Sequence, residues 1–226
     1  GKEFGSAVHS VLERIDPTSA TLDADVRDAV GATLGRSGLV PSLDVVAEGL
    51  LASLRTPLGP VADGRRLADI GVADRLAELD FDMPLADLRS RITVRRIGEV
   101  LLDTLPPGDP QRPYAAELAS GRHDLDIAGY MRGSIDAVLR VHSADGTPRF
   151  VVVDYKTDSV SSEADIDAKL DRYELQAASY AVALEVVTGT DVVDCRFVFC
   201  RPGGAVERSV RDLAAAKARV RAALGA

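Results

Sequence analysis

The chain is predicted to be an α/β protein built on a mixed β-sheet flanked by helices. Three observations carry this. Apolar residues repeat at helical spacing over Gly5–Ile15 and at alternate positions over Arg75–Leu85. Two β-like runs then flank the turn HSADGTP, with Asp145–Gly146 at its centre. A long helix, a strand and a closing helix follow. The order helix, strand, hairpin, helix, strand, helix gives a mixed sheet covered by helices.

Each element has its own signal. In GSAVHSVLERI, Val8, Val11, Leu12 and Ile15 mark one helical face, with His9 beside it. Residues 23–105 are rich in Ala, Leu and Arg and read as helices over Asp25–Leu34, Ser42–Arg55 and Ala86–Asp103, with breaks at RSGLVPS and RTPLGPVADG. Within this region RLAELDFDMPL alternates Leu79, Phe81 and Met83 with Glu78, Asp80 and Asp82, the pattern of a strand with one buried face. LPPGDPQRP reads as a loop and YAAELAS as a short helix. Ile127–Val141 and RFVVVDYK are the two arms of an antiparallel hairpin. Asp165–Gly189 is a long helix closed by glycine, VVDCRFVFCRPGG a strand, and VRDLAAAKARVRAAL the last helix.

Composition narrows the classes of function. With 226 residues, 46% hydrophobic and 27% charged, the chain is long enough and apolar enough to fold. No apolar run approaches the roughly 18 residues of a membrane span, and no secretory leader is visible. Cys195 and Cys200 fit no zinc or redox spacing and read as reduced core thiols; two cysteines are too few for a four-cysteine iron–sulfur site. The formal net charge of −8 argues against a free-standing nucleic-acid binder, though not against one whose substrate is delivered to it. Four of the 27 basic residues are lysines, Lys2, Lys156, Lys169 and Lys217, and the rest are arginines. The chain begins at Gly1 and enters an organised segment almost at once, which reads as a piece of a longer polypeptide.

The placement of one of those lysines points to chemistry. Side chains alternate along a strand, so Asp154 and Lys156 share a face and Tyr155 points away. Asp136 lies on the partner arm of the hairpin, and where the register matches, the three groups converge at the strand ends. Two adjacent carboxylates repel, and a divalent cation removes the conflict. Oxygen ligands, with the backbone carbonyl of Tyr155 as a further one, suit Mg²⁺. A lysine beside such a metal positions water or neutralises charge on a phosphate, which together describe phosphodiester hydrolysis. Downstream, Tyr173, Gln176 and Tyr180 fall on one face of the long helix.

The blocks FGSAVHSVLERI, LAELDFDMPL, GYMRGSIDAVLR, VVVDYKTDSV and RYELQAASYAVAL resemble, in this order, the RecB-type nuclease domain of the PD-(D/E)xK superfamily, the C-terminal nuclease module of bacterial RecBCD-like helicase–nucleases. The resemblance implies a restriction-endonuclease-like core with a helical insertion after the first helix, about residues 20–74 and 86–120 of a single domain. It implies that His9, Asp136 and Asp154 ligate the metal with the Tyr155 carbonyl, and that Lys156 is the catalytic lysine. Tyr173, Gln176 and Tyr180 fall on the motif helix near the DNA, and Glu78 matches a glutamate of the first core strand that supports the site. The strand bearing Asp136 departs from the family pattern in carrying Ser134 and Ala137 where bulkier apolar residues are common. His123 and His142 receive no role.

The implied function is a Mg²⁺-dependent deoxyribonuclease acting on DNA ends in recombinational double-strand break repair. Mn²⁺ is the expected substitute and Ca²⁺ an inhibitory ion, and the imidazole ligand suits Mn²⁺ well. No G-x-x-x-x-G-K-[ST] loop is present, so ATP-driven motors belong elsewhere. The implied partners are DNA, a helicase region of the same polypeptide and RecC-like and RecD-like subunits, with no membrane and a cytoplasmic, nucleoid-associated setting. The alternative is a catalytically inactive scaffold or DNA guide with the same fold, which would be expected to lack the carboxylates or the lysine. A free-standing site-specific endonuclease fits less well, since no sequence-reading module is recognisable.

Overall fold

Chain order in the computed structural model, which describes residues 2–35, 42–84, 92–122, 125–127, 129–157, 162–201 and 204–224, begins with three helices: α1 (Lys2–Arg14), α2 (Leu22–Leu34) and α3 (Leu43–Arg55). Two single 3-10 turns, Pro60–Ala62 and Leu67–Asp69, lead into β1 (Arg75–Pro84). Then come β2 (Ile92–Thr93), α4 (Val94–Thr104), α5 (Arg112–Ala119) and β3 (Asp126–Ile127). The hairpin is β4 (Tyr130–His142) and β5 (Pro148–Lys156), followed by α6 (Glu163–Thr188), β6 (Val192–Arg201), β7 (Gly204–Ser209) and α7 (Leu213–Leu224).

Five strands form one sheet in the order β1-β4-β5-β6-β7, and β2 and β3 pair separately. The hairpin β4–β5 is antiparallel, β5–β6 parallel and β6–β7 antiparallel, so the sheet is mixed, as expected. The parallel β5–β6 pair needs a long crossover, and α6 lies in it.

Two compact units emerge from the contact pattern. The first comprises Gly1–Leu79, Ile135–Ser159 and Thr190–Ser209; the second comprises Asp80–Ser134, Val160–Gly189 and Val210–Ala226. The core of the first joins Val8, Val11 and Leu12 of α1, Val26 and Val30 of α2, and Leu50 and Leu54 of α3 to Ala137, Leu139, Val151, Val153 and Tyr155 of the hairpin. The helix-spaced and alternating apolar positions read from the sequence are therefore the ones that meet. Arg75 fastens this core: its Nη2 donates to the Leu12 carbonyl at 2.8 Å and its Nη1 to the Ile15 carbonyl at 3.0 Å, satisfying acceptors that the end of α1 leaves open.

The second unit packs Met83 of β1 against Ala178, Val182 and Ala183 of α6 and Ala216 and Val220 of α7. Helices α4 and α5 meet at Gly98, where a Cβ would stand 2.7 Å from the Ala115 carbonyl oxygen. Backbone cannot retreat as a side chain can, so Gly98→Ala is expected to cost about 2–3 kcal/mol by overpacking. Thermal denaturation measures this directly, and an unchanged melting temperature contradicts the close contact.

Several local expectations need correction. The helix placed over Ala86–Asp103 starts at Val94, where the Thr93 hydroxyl accepts the Arg96 N–H at 3.1 Å; Ile92–Thr93 is a strand and Ala86–Arg91 lies outside the described residues. The short helix starts two residues early, at Arg112, with Pro113 inside its first turn, where a missing N–H costs nothing. Strand β7 was not expected. It begins at Gly204, the second of two glycines, and every residue is half-buried, so no alternation betrays it. Cys195 and Cys200 are free thiols, as expected. Burial pushes the Cys200 thiol up to about 11 despite the Ser53 hydroxyl beside it. Its thiolate is therefore scarce at neutral pH, and maleimide labelling of Cys200 is expected to be slow at pH 7 and to accelerate as pH rises towards 11; fast labelling of the folded chain at pH 7 contradicts the burial.

Candidate active site

The hairpin register places the two aspartates together. The register sets Ala137 opposite Val153, and both face the helical core. One residue further, Asp136 and Asp154 leave their strands on the other face. Tyr155 turns back into the core and is 2% exposed, while Lys156 returns to the face of Asp154.

Asp136 is a hub. Its Oδ1 lies 3.0 Å from His9 Nδ1, and its Oδ2 accepts the Tyr155 backbone N–H at 2.7 Å. These contacts join α1, β4 and β5. Asp154 Oδ2 lies 2.7 Å from Lys156 Nζ, with the Asp154 side chain 8% exposed and that of Lys156 13%. The Lys156 ammonium also stands 5.4 Å from the centre of the Phe197 ring on β6, a cation–π contact that holds it beside the carboxylate.

The charges are coupled. Burial pushes the Asp154 carboxyl up to about 6; Lys156 opposes this and the Asp136 charge adds to it. His9 is raised from its ordinary value, chiefly by its hydrogen bond to Asp136 and against the effect of its own burial. A buried carboxylate with raised proton affinity, next to a second carboxylate, is a pair that favours a multivalent cation.

The two carboxylates and the Tyr155 carbonyl are hard oxygen donors of the kind Mg²⁺ takes, and the borderline imidazole nitrogen suits Mn²⁺. In this structure His9 is the partner of Asp136 and Lys156 that of Asp154. Among the described residues no three His, Cys, Asp or Glu side chains are gathered into a group that could hold an ion.

Glu78 lies in β1 and lines an open cleft of about 440 Å³ with Gly5, Ser6, His9, Ser10 and Glu13 of α1. Its backbone sits in the left-handed region, at φ +51°, a conformation that costs a non-glycine residue about 1–2 kcal/mol. The glutamate expected to support the site thus shares a cleft with the expected histidine ligand. Gly5 had no place in the sequence reading. A Cβ there would stand 3.0 Å from Thr157 Oγ1, so its bare backbone lets α1 pass against the residue after Lys156. Phe197 was likewise missed, since an aromatic residue in a core strand gives no sign of a cation above it.

Tyr173, Gln176 and Tyr180 belong to α6, in the second unit. Gln176 Nε2 donates to the Tyr180 hydroxyl at 2.8 Å, confirming that these two share a helix face. Tyr180 meets Phe81 edge-on, with ring centres 5.7 Å apart and planes at 81°. His142 is exposed at the end of β4, and His123 lies outside the described residues. Among the described residues no helix is long and apolar enough to cross a membrane.

A mixed sheet whose central hairpin carries D-x-K opposite a second aspartate, with a histidine supplied by the first helix, defines a class. The model of the PD-(D/E)XK nuclease superfamily matches residues 1–224, and the chain belongs to that superfamily, with its restriction-endonuclease-like fold. Among curated proteins it is similar to the RecBCD enzyme subunit RecB of Mycobacterium tuberculosis, strain CDC 1551 / Oshkosh, with 41% identity over 206 residues, 81% of this chain and 18% of the relative. The RecBCD enzyme subunit RecB of Mycolicibacterium smegmatis, strain ATCC 700084 / mc(2)155, is 39% identical over 207 residues, 84% of this chain and 19% of the relative. The chain thus spans about a fifth of the length of these curated relatives.

Proposed function

We propose that this chain is a metal-dependent DNA nuclease domain that hydrolyses phosphodiester bonds at DNA ends during recombinational double-strand break repair. The observation that carries the reading is the convergence of His9, Asp136, Asp154 and Lys156 at one end of the hairpin in a member of a nuclease superfamily. On this reading residues 1–226 form one nuclease domain with helical insertions at about 20–74 and 86–120. It works beside a helicase region of the same polypeptide and RecC-like and RecD-like subunits, in the cytoplasm. The similarity to RecB subunits supports this.

His9, Asp136, Asp154 and the Tyr155 carbonyl would hold Mg²⁺ or Mn²⁺. When bound, such an ion polarises a phosphate oxygen and acidifies water. Asp136 keeps the end of β5 in place through the Tyr155 N–H while it orients the His9 imidazole. Lys156, steadied by Phe197, supplies positive charge to the phosphate as its negative charge grows, and orients the attacking water. Glu78 closes the cleft on the His9 side. Tyr173, Gln176 and Tyr180 serve the DNA.

With a net charge of −8 the isolated chain is expected to bind DNA weakly and in a salt-sensitive manner, affinity coming from the assembly. The test is cleavage of linear DNA, by the chain alone and within the helicase–nuclease polypeptide, with Mg²⁺, Mn²⁺, Ca²⁺ or a chelator. Cleavage with Mg²⁺ or Mn²⁺ that chelation abolishes is expected. Cleavage that survives chelation, or none in either setting, contradicts the reading.

A further inference from the structure

We propose that Phe81 and Gly133 are positioning residues that set the orientation of the Gln176 side-chain amide, acting through Tyr180. The contacts form a chain within the second unit. Gln176 Nε2 donates to the Tyr180 hydroxyl at 2.8 Å. The Tyr180 ring is held by the edge-on contact with Phe81, 5.7 Å between centres. Both rings lean on the backbone of Gly133 in β4: a Cβ there would stand 2.7 Å from two edge carbons of Phe81 and 3.1 Å from the Tyr180 ring. Phe81 is itself packed against the cluster of Met83, Ala178 and Val182 and has little room to yield.

The consequence is chemical. A primary amide presents a donor end and an acceptor end, and they exchange when the side chain turns over. One of the two Nε2 hydrogens points to the Tyr180 hydroxyl, so this contact fixes which way the amide faces and where its second donor and its carbonyl oxygen point. The inference rests on the proposed nuclease reading for what Gln176 serves, and on geometry alone for how Gln176 is held.

The experiment has two readouts on the 226-residue chain. The first is the NMR signal of the Gln176 side-chain amide, assigned by its loss in Gln176→Glu. The second is kcat and KM for linear DNA. In Tyr180→Phe and in Phe81→Leu the amide signal is expected to shift and exchange several-fold faster. The value of kcat/KM is expected to fall about tenfold in each, the rate equivalent of one hydrogen bond. The double variant is expected to lose no more than the worse single one, because both break the same link. Gly133→Ala is expected to give the same signature; if it does not fold, Phe81→Leu decides. An unmoved amide signal in Phe81→Leu, or losses that multiply to about a hundredfold in the double variant, overturns the proposal. Normal cleavage by Lys156→Ala would sink the nuclease reading instead, and the amide signal would still judge the positioning.

Discussion

Replacing Lys156 with alanine is expected to slow DNA cleavage at least ~10²-fold, a barrier increase of about 2.7 kcal/mol. Lys156 Nζ sits 2.7 Å from Asp154 Oδ2 and over Phe197, so its position is already restricted before substrate arrives. Charge held in place in a partly desolvated site stabilises a transition state without reorganisation, and that stabilisation is what the variant lacks. Asp154→Ala is expected to lose as much, through the metal rather than the ammonium. Folding should not obscure the result for Lys156→Ala. Left without its partner, Asp154 can take up a proton, since burial already pushes its carboxyl up. Single-turnover cleavage and a melting curve on the same samples separate the two effects. A variant that cleaves at the normal rate with Mg²⁺ would show that the lysine is not part of the chemistry.

Asp136 offers a sharper comparison, because its two oxygens do different things. Both Asp136→Ala and Asp136→Asn remove the carboxylate proposed to bind the metal, and both are expected to lower cleavage by at least ~10²-fold. Only the alanine variant leaves the Tyr155 N–H without an acceptor, next to a side chain 2% exposed. A buried donor left unsatisfied costs about 1–3 kcal/mol. For a chain of this size each kcal/mol is about 2–4 °C in Tm. Asp136→Ala should therefore melt several degrees below Asp136→Asn while both stay inactive. Equal melting temperatures would deny Asp136 its structural role, and activity in either variant would deny its role in the site.

The parts of the site that were legible in the sequence follow from local periodicity. Alternation along RFVVVDYK puts Asp154 and Lys156 on one face by strand parity, while whether Asp136 joins them depends on a register that the five-residue loop after His142 does not dictate. The spacing of Val8, Val11 and Leu12 likewise predicts which side of α1 is buried. The His9–Asp136 contact spans 127 residues and came only from the family resemblance, since no local rule links a helix to a strand so distant. Three further features gave no local signal. Glu78 at φ +51° is a backbone state that its side chain does not favour. Gly5 and Gly133 read as ordinary small residues until the atoms beside them are known. Strand β7, half-buried throughout, shows no period for a pattern to catch. Each depends on what lies across space rather than along the chain.

The central claim is that one divalent cation draws His9, Asp136 and Asp154 together. A crystal of the chain soaked in Mn²⁺, with data collected at the manganese edge, tests it most directly. The expected result is one strong anomalous peak within bonding distance of the His9 imidazole and of both carboxylates, with Lys156 displaced from Asp154. A peak elsewhere, or none while His9 stays on Asp136 and Lys156 on Asp154, contradicts the account.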